Sequence, residues 1–555
     1  MNKLKKFFTI TFIILFAVIN MNSQEKKRAF VNGTIYTVNY NQLFAEAVVT
    51  VGDKITFVGS ATEANKLIDE ATEIIDLNGK FMLPGFIDNH THFSDGGFYL
   101  LGIDLRNAKS TAEFKNILKE YDKKNKLSWI TGGYWDHEAW ETKALPTKEM
   151  IDEAVPNTPV FISRFDGHMG VANSAALKIA GITKDTKTPS GGFIVKDPKT
   201  GEPTGVLKDD AMNLVMDKIP VPTDAEYEAA ILRALKEANE QGFTSIQDMT
   251  PAKELEIYKK FEKENILTCR MYTRTPIAEY KTLVSAGLKA GSGSNMVRTG
   301  SLKAFADGSL GSSTALFFDN YENEPDNKGL AMENVTNGNL KKWALDADKN
   351  GLQLCIHAIG DSANYLMLQM FEEIVNTNPK WDRRFRIEHA QHIRTSDLMK
   401  FKELGVIASV QPYHCIDDGV WAEKRIGKER IKETYPFKSF IDSGVTMCFG
   451  SDWYVAPLNA IYGIYAAVTR RTLDDKNPGG WIPEQKISVE DAIKCYTLNN
   501  AYAAFEEKIK GSIEPGKLAD FVVLNQNLLT IAPEKIRDVK VEMTILGGKT
   551  VYKRK

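Results

Sequence analysis

Cysteine is scarce in this chain. Its 555 residues hold five, Cys269, Cys355, Cys415, Cys448 and Cys495. An odd number cannot pair completely within one chain, so a full disulfide framework is excluded. Cys269, Cys355 and Cys448 fall in apolar, strand-like runs and read as small buried hydrophobes. Cys415 follows His414 and has two readings, a core residue or a soft metal ligand. Charge of one sign is missing too. Against 70 Lys and Arg stand 72 Asp and Glu, a formal net charge of −2, so no broad basic field awaits nucleic acid. Long apolar runs are confined to Phe7–Ile19, shorter than the roughly 20 residues a membrane-spanning helix needs. Lys3, Lys5 and Lys6 precede that run, and Ser23 and a polar stretch follow it. This pattern reads as an export signal over residues 1–23 and predicts a protein of the periplasm or the cell exterior. Met21 fits the usual small-x-small cleavage site badly, so an uncleaved anchor stays open. No cysteine stands beside Ser23, which excludes a lipid-modified one there. No later run is long and apolar enough to cross a bilayer, and no short repeat or low-complexity segment is present.

What remains is a globular composition, 43% hydrophobic and 26% charged, too long for one ordinary core. Residues 24–82 read as short strands punctuated by Asn32-Gly33 and Gly52-Asp53, and residues 506–555 repeat that style around Gly547-Gly548. The two ends are expected to pack as one small β-sandwich, with residues 83–505 set between them. That middle alternates strand and helix. After the strand ending at His90, candidate strands are Thr244–Asp248, Thr268–Thr273, Leu302–Ala306, Leu352–His357, Phe385–His389, Val406–Gln411 and Thr446–Gly450. Eight βα units fit a distorted, closed (β/α)8 barrel of the α/β class, with a doubly wound open sheet as the alternative. Residues 101–223 fit no single βα unit and read as an insertion beside the active face, a lid or substrate wall.

His90-Thr91-His92 is the most informative stretch. Phe86 and Ile87 begin an apolar strand, and the pleat turns every second side chain to one face. His90 and His92 then point the same way and can hold one metal while leaving room for water. Two polar residues at a strand exit are the plainer reading. Further polar residues close later strands: Asp248, Lys303, His357, His389 and Asp452. Barrels of this type carry their active sites on that C-terminal face. Four His and an Asp are the N/O ligand set preferred by Zn²⁺.

The chain resembles the amidohydrolase superfamily, and within it the family 3, YtcJ-like branch that includes N-substituted formamide deformylases. The resemblance rests on Pro84-Gly85-Phe86-Ile87-Asp88, Arg164-Phe165-Asp166-Gly167-His168 and the run Lys303–Gly311. His357-Ala358-Ile359-Gly360-Asp361, Glu388-His389-Ala390, Gly450-Ser451-Asp452 and the run Gly511–Asp520 complete it. It implies that His90, His92 and Asp452 bind a first Zn²⁺ and that His357 and His389 bind a second. Lys303 would bridge the two as a carbamate, because an ammonium cannot ligate. An ion pair with a nearby carboxylate such as Asp307 is the alternative for Lys303, and a single metal would then follow. A metal that lowers its water's pKa to about 7 supplies hydroxide, and Asp452 takes the proton for delivery to the leaving nitrogen. His168 would reach the substrate carbonyl from the insertion, or fix its own loop. Asp307 and Asp361 would orient ligands, Trp453 would wall the site or pack beneath it, and His392 and His414 would support ligands or lie at the surface. The implied activity is hydrolysis of a non-peptide carbon–nitrogen bond in a small molecule. A mononuclear deaminase, an ester or lactone hydrolase and a non-catalytic solute-binding protein are the alternatives. The expected partners are the small-molecule substrate and a second copy of the chain, with no nucleic acid.

Overall fold

The computed structural model describes residues 26–125, 127–137, 140–164, 169–189 and 192–555, without the side chains of 209 and 210. The export signal expected over 1–23 lies outside them, and no described helix is long and apolar enough to cross a membrane. The core is a parallel sheet of eight strands in consecutive order. In chain order they are β1 Phe86–Thr91, β2 Phe243–Met249, β3 Arg270–Pro276, β4 Val297–Phe305, β5 Gln353–Ala358, β6 Arg386–His389, β7 Ile407–Val410 and β8 Met447–Phe449. A doubly wound sheet would break that order, so the barrel reading stands. The third strand starts later than its apolar pattern implies, at Arg270, and the Thr268 carbonyl before it accepts from the Asn239 side chain (2.9 Å).

The barrel closes in a distorted way. β8 has three residues, and its junction with β1 is carried past the strand end. Asp452 N donates to His90 O (2.8 Å), and His92 N donates to Trp453 O (2.7 Å). Asp88 adds a side-chain clamp, its Oδ1 accepting from His90 N (2.9 Å) and Ser451 N (3.1 Å). A Cβ at Gly450 would stand 2.7 Å from His90 N, so only glycine lets the segments approach this closely. The bonds that close the barrel therefore also hold His90, His92 and Asp452 together.

Helices pack outside. Asp224–Glu240 is opened by a capping box between Thr223 and Glu226 and buries Ile231, Leu235 and Ala238, spaced for one helical face. Both chain ends meet beneath the barrel, where Phe521–Leu524 pairs antiparallel with Phe81–Pro84 in a six-stranded sheet. A four-stranded sheet from residues 27–76 faces it, and Phe30, Ile35, Val48, Phe521 and Ile545 fill the sandwich. Between β1 and β2 the chain builds a separate six-stranded sheet from Ile103–Asp104 to Pro203–Asp209, with its own cores around Trp135 and Leu207. All five cysteines are buried and unpaired, and Cys415 packs in the barrel's apolar core rather than serving as a ligand.

Candidate metal centre

A cavity of about 410 Å³ opens at the C-terminal mouth of the barrel. Its wall carries His90, His92, Lys303, His357, His389, His414 and Asp452, so side chains separated by hundreds of residues meet in one place. Ligand atoms of His90, His92 and Asp452 lie within 4.8 Å of one another, and a second trio, His389, His414 and Asp452, does the same. Asp452 Oδ1 is 3.4 Å from His90 Nε2 and 3.5 Å from His92 Nε2. Two of these donors stand on left-handed backbone, His389 at φ 74° and Asp452 at φ 59°. Non-glycine residues occupy that region at a cost, and they do so where a site must be aimed. In a regular strand Glu388 and His389 would face opposite sides. The turn in φ at His389 lets both reach His90, one through a 2.6 Å hydrogen bond and the other at 5.0 Å between rings.

The protonation of the imidazoles follows from their partners. His90 Nδ1 donates to Glu388 Oε2 and leaves Nε2 with its lone pair toward the cavity. His357 Nε2 donates to Gly308 O (3.0 Å) and leaves Nδ1 as its acceptor nitrogen. Burial keeps both neutral, pushing His90 down to about 3 and His357 to about 4. His389 is held well below its usual value by burial and by His357 beside it, with 4.4 Å between ring centroids. Burial opposes charge on Asp452, but the surrounding imidazoles, His90 foremost, hold its carboxyl well below the usual range. Glu388 is likewise kept ionised against its burial by Arg274 and Arg386, both fully enclosed in the barrel. Among the described residues, His389 Nδ1 and His414 Nε2 are buried without a hydrogen-bond partner. Neutral imidazoles, one carboxylate and orphaned nitrogens around a common space fit a divalent cation of the zinc type.

Lys303 Nζ stands 3.4 Å from His90 Nε2, and burial pushes its ammonium down to about 8. The ion pair with Asp307 does not form. The Asp307 carboxylate instead accepts from the backbone of Leu316 (2.8 Å), Ile359 (3.0 Å) and Gly360 (2.8 Å), tying down the loops after β4 and β5. Asp361 holds the Phe318 backbone N–H (3.0 Å). Asp248 is buried and accepts from Phe93 N (2.7 Å) and Tyr258 (2.7 Å), fixing the turn after His92. Trp453 lies beneath the rim, edge-on to Phe93 at 5.7 Å and 3% exposed, so it packs and does not wall the cavity. His392 is buried and bonded to Thr434 Oγ1 (2.8 Å). His168 lies outside the described residues.

Two features escape a reading of the motifs. His414 lies on the cavity wall in the first turn of the helix Pro412–Asp418 that follows β7. Proline opening a helix directly after a barrel strand is the local signal for that placement. The charged interior of Arg274, Arg386 and Glu388 left no such signal, because a packed barrel core is ordinarily apolar.

A family model described as "Amidohydrolase family" matches residues 73–552. The chain is 39% identical over 540 residues to Protein LONG AFTER FAR-RED 3 of Arabidopsis thaliana, covering 94% of this chain and 91% of that one. It is 26% identical over 552 residues to the N-substituted formamide deformylase of Arthrobacter pascens, covering 96% and 99%. Among solved structures it resembles an uncharacterized metal-dependent hydrolase of Pyrococcus horikoshii, with 30% identity and a TM-score of 0.77 over 92% of this chain and 99% of that one.

Proposed function

This chain is a metal-dependent hydrolase that belongs to the amidohydrolase family, and from that premise we propose that it cleaves an amide-type carbon–nitrogen bond of a small molecule at the barrel mouth. The observation that carries this reading is the convergence of His90, His92 and an ionised Asp452 within 4.8 Å. His90, His92 and Asp452 would hold one divalent cation, with His357, His389 and Lys303 on the facing wall. When bound, such a cation polarises a carbonyl and lowers the pKa of a water to about 7.

The residues supply the rest. Glu388 fixes the His90 tautomer so that Nε2 faces the cavity. Asp452, its carboxyl held well below the usual range, would take a proton from the attacking water and pass it to the leaving nitrogen. Lys303 is buried and its pKa lowered, which favours the free amine that reacts with CO₂ to give a carbamate. Phe305, Leu310 and Trp421 line the outer cavity and exclude water around an apolar substituent. A volume of about 410 Å³ admits a small molecule and not a folded chain.

A panel of N-formyl, N-acyl and cyclic amides, with matched esters, tests the reading. Turnover of an amide that stops on chelation and returns with Zn²⁺ is expected. A fully loaded protein that hydrolyses none of the panel contradicts it and favours a binding protein.

A further inference from the structure

One part of the cavity wall is built from hydrogen-bond acceptors. Gln391, just past the end of β6, lines it together with Asp417 and Asp418, which close the helix Pro412–Asp418. A chain of bonds running in from Thr434 fixes which atoms they present. Thr434 Oγ1 donates to Arg430 O (3.3 Å), so it accepts from His392 Nδ1 (2.8 Å). Burial keeps that ring neutral, and its Nε2 is therefore an acceptor, 3.2 Å from Gln391 Nε2. Gln391 Nε2 also donates to Asp418 Oδ2 (2.8 Å), an oxygen that takes a second bond from the Tyr435 hydroxyl (2.6 Å). Both amide hydrogens are thus spent inside the protein. The amide cannot be turned over, since its oxygen would then face a carboxylate. Gln391 is 3% exposed, yet among the described residues its Oε1 accepts no hydrogen bond. A buried amide oxygen without a donor is costly, and one on a cavity wall points to a missing ligand. Among the described residues Asp418 Oδ1 and the Asp417 carboxylate accept no hydrogen bond either, and neither residue forms an ion pair. The cation beside this wall, Arg425, lies over the Trp421 ring at 5.7 Å and is engaged by Glu324 (3.5 Å).

Three groups thus offer only acceptors to the cavity, and two of them are carboxylates. Burial raises Asp418 to about 6, which leaves it mostly ionised at neutral pH. What satisfies such a wall brings several N–H donors and a positive charge, because charge-assisted bonds are the strong ones. An anionic end would meet like charge there. Phe305, Leu310 and Trp421 line the same cavity and give an apolar surface to a spacer. We propose that Gln391, Asp417 and Asp418 select substrates that carry a protonated nitrogen group, an ammonium or guanidinium, away from the scissile bond. The inference rests on the hydrolase reading above and names its substrate class.

The test uses the metal-loaded full chain and the amide that the panel above shows to be cleaved. Straight-chain versions of it are made that differ only at the far end, which carries an ammonium, a methyl or a carboxylate. The end group is placed on the amine side and on the acyl side, with several spacer lengths. The expected result is a kcat/KM at least about tenfold higher for the ammonium than for the methyl member on one side, with the carboxylate member lowest. Asp418→Asn and Asp417→Asn should each lower that ammonium-to-methyl ratio by about tenfold, chiefly through KM, as the loss of a binding contact requires. Asp417→Lys, at an exposed position, should move the preference toward the carboxylate member. A wild-type ratio near or below one at every spacer length overturns the proposal and leaves the hydrolase reading standing. So does a ratio that none of the variants moves. Cleavage of no amide at all overturns both. Should Asp418→Asn fail to fold, Asp417→Lys decides, and an unchanged order of the three end groups counts against the proposal.

Discussion

The barrel buries ionic groups at both ends, and the two sets differ. At the bottom, where the sandwich packs on, each charge has an opposite partner. Arg270 grips Asp520 with two bonds (2.7 and 2.9 Å), and Lys510 lies 2.6 Å from Glu506. At the mouth, five imidazoles and a lysine crowd around Asp452, and two ring nitrogens have no hydrogen-bond partner. Both sets are desolvated, so burial alone does not distinguish them. The distinction lies in satisfaction: the lower set needs nothing further, whereas the upper is complete only with a cation.

Substitutions can break that contrast. The largest effect is expected at the mouth. Asp452→Asn should leave the fold intact and reduce turnover of the active amide by about 10²–10⁴-fold, measured as kcat. Wild-type-like turnover would remove Asp452 from the chemistry. At the bottom, Asp520→Ala leaves Arg270 buried without its partner and should cost about 3–5 kcal/mol in a denaturant titration. Its metal content should match wild type; a loss of bound zinc would mean that the two ends are not separate systems.

A smaller effect sharpens the role of burial. His392 lies away from the ligand trios, and burial pushes its pKa down to about 3. A base kept neutral in the fold but free to charge when unfolded favours the fold above pH 6.5. That contribution is lost as pH falls from about 6.5 toward 3. By pH 5 it amounts to about 2 kcal/mol, and His392→Gln should flatten the stability of the stripped protein between pH 7 and 5 by that amount. An unchanged slope would show that the ring is not held neutral.

Much of this architecture was legible in the sequence. Apolar runs of strand length, spaced by helical periodicity, marked the barrel, and the shared style of the two ends marked the sandwich. Reading strand ends also placed His90, His92, Lys303, His357, His389 and Asp452 on what proves to be the wall of one cavity. Strand periodicity ran out where the backbone leaves its regular path. The left-handed turn at His389 brings Glu388 and His389 to the same interior, against the alternation a strand predicts. His414 was read as a supporting or surface residue because it stands on a short helix and not at a strand end, and the fold sets it on the cavity wall. Trp453 was open between wall and packing because its neighbour Phe93 approaches only once the barrel has closed.

The most direct measurement is the melting temperature of the chelator-stripped full chain across a titration with Zn²⁺, Mn²⁺, Co²⁺ and Fe²⁺. Donors that converge on a cation predict a rise for at least one metal, equivalent to about 2.7 kcal/mol at a hundredfold excess over Kd, and its disappearance in His90→Ala. A wild-type melting temperature that none of the four metals moves would contradict the account at its centre.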